Sequence, residues 1–127
     1  MSLNKTVDEI VILIIGLLST VNVVKYPHNR PSNNAPAKFI VVNGFCTVPG
    51  IMQKFAINVN VHARNISSNI DRVTLDSISK SVLTLLEEYD SPGELIIEAD
   101  TQEIFAEESS IDEHYSNLRF IVKSINN

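Results

Sequence analysis

Three histidines, one cysteine and a run of carboxylates are the side chains in this sequence with the means to do chemistry. His28, His62 and His114 offer imidazoles for metal ligation or proton transfer, but no two stand at a ligand spacing such as i,i+4 on a helix. A site joining the histidines with Asp112 or Glu113 would have to be assembled by the fold, because nothing in the sequence brings these residues together. A Cys46–His62 nucleophile pair across adjacent strands lacks the flanking residues of any cysteine-enzyme signature. Cys46 lies between Phe45 and Thr47 in an apolar stretch and reads as an inert, half-buried thiol. A lone cysteine fits a reducing, cytosolic setting and leaves no internal disulfide.

The acids between Glu94 and Glu113 include Glu98, Asp100, Glu103 and the Glu107-Glu108 pair. Calcium loops pair oxygen ligands at fixed spacing with a glycine at the bend, and this stretch holds no glycine. The four glycines, Gly16, Gly44, Gly50 and Gly93, are isolated, so there is no phosphate-cradling loop and no serine nucleophile elbow. Tryptophan is absent and aromatics are few, which leaves poor stacking platforms for bases or sugars. These residues predict a non-enzymatic chain with no cofactor and no metal.

The elements that would position these residues follow from hydrophobic periodicity. Phe55, Ile57, Val59, Val61 and Ala63 alternate with Ala56, Asn58, Asn60 and His62, the period of a half-buried strand over Gln53–Arg64. Leu75, Ile78, Val82, Leu85, Leu86 and Tyr89 share one face of the helix that follows, with Ser-Pro-Gly at 91–93 ending it. Thr6 and Glu9 form a capping box for a first helix over about Asp8–Leu18. Its apolar run, Ile10 to Leu18, is about half the ~20 residues that span a bilayer. It follows Asp8 and Glu9 rather than a basic region, and no clean small-residue cleavage site follows it. A helix apolar on nearly all sides implies a second surface to cover it, hence an oligomer.

Further strands are expected at Val21–Lys25, Lys38–Val42, Leu95 to about Ala99 and Tyr115–Ile125. Asn43-Gly44 reads as a turn, or as a bulge if Phe45–Val48 prolongs the second strand. Pro27, Pro31 and Pro36 make 26–37 a long surface loop. At 127 residues and 44% hydrophobic, the chain reads as one α+β domain in the order α-β-β-β-α-β-β, with a mostly antiparallel sheet of about five strands packed with two helices.

Net charge is −5, unevenly spread. Residues 1–70 hold six bases and two acids, whereas every charged residue from Glu87 to Glu113 is acidic. Dispersed bases and a negative total disfavour nucleic-acid binding. A charge-polarised subunit suits head-to-tail contacts that close into rings.

The blocks VNVVKYPH, KFAINVNVHARN, IDRVTLDSISKSVLTLLEEY and EHYSNLRFIVKSI together resemble the tail-terminator proteins of long-tailed phages and prophages, including their tail-completion, minor-tail and head–tail joining relatives. The resemblance spans nearly the whole chain. It implies a virion protein made in the bacterial cytoplasm that forms a ring, commonly six-fold. Such a ring seats on the tail tube, stops its growth and presents a surface to the head connector, while DNA passes through without specific binding. On this reading Lys54, Arg64, Asn58, Asn60 and His62 are candidate subunit contacts, and Glu94, Glu98, Asp100 and Glu103 are candidate lumen acids. Two other readings fit the composition: a ligand-binding or hydrolytic domain with His62 and His114 lining a pocket between sheet and helices, and an acidic inhibitor-like or immunity-like interaction module.

Overall fold

The computed structural model describes residues 5–32, 34–89, 95–107 and 111–125. The elements are α1 (Val7–Leu17), β1 (Val24–Pro27), β2 (Lys38–Val48), β3 (Met52–Arg64), α2 (Arg72–Glu87), β4 (Leu95–Ala106) and β5 (Glu113–Ile125). They form one α+β domain around a five-stranded sheet of order β1-β2-β3-β5-β4, in which only the β1–β2 pair is parallel.

Period-two patterning sorts the sheet into two faces. Ile40 and Val42 of β2, Phe55 to Ala63 at odd positions of β3, and Leu118, Phe120 and Val122 of β5 point to the helices. They meet Ile10, Val11, Ile14 and Leu18 near α1 and Leu75, Ile78, Val82 and Leu86 of α2 in one apolar core. Burying each such side chain contributes about 1.5–3 kcal/mol. The capping box forms as expected, with Glu9 N–H donating to Thr6 Oγ1 at 3.1 Å and Thr6 N–H donating to Glu9 Oε1 at 3.0 Å. Although α1 is apolar almost all round, its outer side remains open, and Ile12 is 52% exposed. The buried Gln53 amide ties the chain ahead of α1 to β3, accepting from Lys5 N–H at 2.8 Å and donating to Lys5 O at 3.0 Å. Asp71 caps α2, accepting from the Thr74 N–H at 3.1 Å and from its hydroxyl at 2.6 Å. Those two bonds lower the Asp71 pKa.

Four boundaries differ from expectation. The strand expected at Val21–Lys25 runs instead from Val24 to Pro27, because Val21 N–H still bonds Leu18 O in the turn leaving α1. It takes Tyr26 and Pro27 from the expected loop, and proline is tolerated at the end of an edge strand. β2 runs through Asn43-Gly44 to Val48 without turning, and its register shift lies between Cys46 and Val48. Glycine is required at 44 for packing: a Cβ there would strike the Ala56 carbonyl oxygen and lie 2.7 Å from Ile57 Cδ1. β4 continues seven residues past Ala99, through a shift between Ala99 and Thr101, because β5 offers a partner along its whole length. β5 itself begins at Glu113, two residues early. The Ser-Pro-Gly stop at 91–93 lies outside the described residues. No described helix is long and apolar enough to cross a membrane.

Candidate functional site

No described helix covers the other face of the sheet, and its side chains stand in cross-strand rows. The uppermost row is aromatic. Phe39, His62, Tyr115 and Phe105 are paired across β2, β3, β5 and β4. The His62 ring lies flat between Phe39, 4.5 Å away, and Tyr115, 4.9 Å away. Phe105 stacks on Tyr115 at 5.4 Å, and Tyr26 of β1 meets Phe39 edge-on.

Above this row the Pro-rich connection from β1 to β2 crosses the sheet and lays Arg30 over Phe39. The Arg30 guanidinium donates to both oxygens of Glu113, Nη2 to Oε1 at 2.8 Å and Nε to Oε2 at 3.2 Å. His62 Nδ1 lies 2.8 Å from Glu113 Oε2 and 3.5 Å from Glu107 Oε2. An ionised carboxylate only accepts, so Nδ1 carries the hydrogen. His62 and Glu113 are 4% and 5% exposed.

Burial lowers the His62 pKa, outweighing the hydrogen bond and charge of Glu113 and the charge of Glu107, which favour the imidazolium. Burial alone would raise Glu113. Its hydrogen bonds from Arg30 and His62, and their charges, outweigh that and hold the carboxyl below its usual range.

His62 Nδ1 and one oxygen each of Glu107 and Glu113 lie within 4.8 Å of one another, a spacing that could hold a metal ion. The Arg30 guanidinium, bonded to both oxygens of Glu113, already supplies positive charge there and repels a second cation. The arrangement is an ion-pair cluster joining the loop to β3, β4 and β5.

Below the aromatic row the face is amide-lined. Asn117 donates to Asn60 Oδ1 at 2.6 Å and Asn58 Oδ1 at 3.3 Å, and Asn58 donates to Asn43 Oδ1 at 3.0 Å. Further down, the register sets Phe45, Ala56 and Ile121 in one row, and Val48, Lys54, Lys123 and Ile96 in the next. Phe45, Val48, Met52 and Ile96 are exposed. Arg119 lies 5.6 Å over the Phe45 ring, and its Nε has no hydrogen-bond partner among the described residues. Lys123 pairs with Glu98 at 2.7 Å, which lowers the Glu98 pKa.

The expected site residues therefore scatter. Lys54, Asn58 and Asn60 lie half-buried on the bare face, while Arg64 is exposed at its upper rim and donates to Ala35 O at 3.2 Å. His62 is enclosed by Arg30, Glu113 and two rings, so, contrary to the expectation of a subunit contact, it faces no open surface. Glu98, Asp100 and Glu103 are exposed on β4, and Glu94 lies outside the described residues.

The three histidines do not converge. His28 pairs with Asp8 at 2.7 Å, His62 with Glu113, and His114 Nδ1 donates to Asn65 Oδ1 at 2.6 Å. Register puts His114 opposite Ala63 on the helix side, so a shared pocket for His62 and His114 is ruled out. The groove on that side, about 580 Å³, is lined by Val21, Lys38, Ser77, Ser81 and Leu85 among others and by neither histidine. Cys46 also faces the helices, seven positions along β2 from Phe39, the partner of His62. At ~3.3 Å per residue that separation excludes a Cys46–His62 pair.

Sequence reasoning missed Arg30, Glu107 and Tyr115. Aromatic residues on the polar faces of several strands were the available signal. No protein-family model matches the chain, and no curated protein matches it in sequence.

Proposed function

We propose that this chain is a structural subunit of a phage or prophage virion, a tail terminator that acts as a ring on the tail tube and joins it to the head connector. The supporting observation is the sheet itself. No described helix covers one face, and β4 is exposed from Glu98 to Ala106. Long uncovered edge strands are a hazard to a monomer and are ordinarily covered or blunted.

The blocks that carry the resemblance coincide with β3, α2 and β5. The ring is a homo-oligomer, six-fold by resemblance, made in the bacterial cytoplasm and carried into the virion. Acids on β4 facing the lumen would repel DNA phosphates and let the duplex slide. Electron microscopy of the purified protein, with sedimentation at high concentration, tests this. Annular particles with a central opening are expected, and monomers throughout would overturn the ring. A monomer that captures a basic protein faster at low salt would instead favour the interaction-module reading.

A further inference from the structure

The lower bare face carries the bases Lys54 and Arg119 beside an apolar patch, and β4, whose Ile96, Glu98 and Glu103 stand at the margin of that same face, carries acids. On the lower face Lys54 and Arg119 make no ion pair among the described residues, Lys123 being matched by Glu98 of the same chain. They surround Phe45, Ile121, Val48, Met52 and Ile96, an apolar patch of which all but Ile121 are exposed. Arg119 is half-buried with its guanidinium over the Phe45 ring, and the planar fork of a guanidinium matches a carboxylate. β4 carries three acids and no base. Glu98 is matched within the chain, whereas Asp100 and Glu103 make no ion pair among the described residues. Among the described residues of β4, Leu95 and Ile97 alone join the apolar core, and beyond them Ile104 and Phe105 are exposed on opposite sides.

From this complementarity we infer that β4 of one copy docks on the lower bare face of a second copy, with Asp100 and Glu103 meeting Lys54 and Arg119 around the apolar patch. The inference rests on the self-association in the reading above and names its contact. It moves the contact away from Arg64 and His62. It also gives Asp100 and Glu103 a partner in the neighbouring subunit, in place of the lumen. Two like strands cannot pair edge to edge at the same place, because their acids would face one another. The face is therefore the better seat for β4.

Two charge-reversed chains test it: Lys54→Glu with Arg119→Glu, and Asp100→Lys with Glu103→Lys. Each alone should weaken self-association at least about tenfold, since close charge pairs across an interface contribute strongly to affinity. Mixed in equal amounts they should reassociate, because each altered surface then meets its complement. Circular dichroism of each chain checks that it folds, and recovery on mixing cannot come from an unfolded one.

Sedimentation reads every outcome. If wild-type protein associates and the reversals change nothing, this contact is wrong while the ring reading survives. If mixing restores a dimer and nothing larger, the contact stands and the ring falls. Wild-type protein that stays monomeric overturns both.

Discussion

The two ends of the bare face are built from the same alternating strands and have opposite fates. At the upper end a loop lies across the sheet and encloses Arg30, His62 and Glu113 in a paired cluster. At the lower end nothing described covers Phe45, Arg119 and Lys54. The contrast separates polar residues that hold the chain to itself from polar residues that remain available to other molecules. Alternation in β3 alone treats His62 and Lys54 alike.

The largest expected effect breaks the closed end. Arg30→Ala leaves Glu113 buried without its charge partner and should cost about 3 kcal/mol in denaturant unfolding. A loss under about 1 kcal/mol would mean that water replaces the guanidinium freely. Acid should act on the same end in two stages. Because the folded chain holds His62 below the usual value of about 6.5, stability is full above that pH and falls as pH drops through the lowered value. Glu113, also lowered, contributes above its ordinary 4.5 and is lost as pH falls further. His62→Asn should remove the first stage alone, read from thermal midpoints across pH.

The amide rows between the two ends should be worth less. Asn117→Ala removes bonds to two neighbours, and a loss of about 1 kcal/mol is expected from the same unfolding curves. Smallest of all, Lys54→Glu or Glu103→Lys should shift stability by no more than about 0.5 kcal/mol. A larger shift in either would show that the open end also supports the fold, and the contrast would collapse.

Much of the fold was legible because burial enforces period. Phe55 to Ala63 and Leu75 to Leu86 mark β3 and α2 with no ambiguity of face, and the Thr6–Glu9 box marks the start of α1. β4 beyond Ala99 was hidden because its residues are exposed on both sides, so no face imposes a pattern on Asp100–Ala106. The cluster was hidden for another reason. His62, Glu107, Glu113 and Arg30 meet only through strand pairing and a loop crossing, neither of which leaves a local spacing. At Gly44 a turn and a prolonged strand both stayed open, because a glycine demanded by close packing looks like one demanded by a turn.

The Arg30–Glu113 bridge joins residues 83 positions apart in the chain. A contact of that span forms only after β5 has joined β3, late on the folding route, because the intervening chain must be ordered first. Interactions absent from the transition state govern how fast a protein comes apart rather than how fast it forms. The bridge is then a brake on unfolding: without Arg30 the refolding rate should hold nearly constant while the native lifetime shortens. A protein that must persist for long periods gains most from a bond of this kind, because its durability is set by a rate.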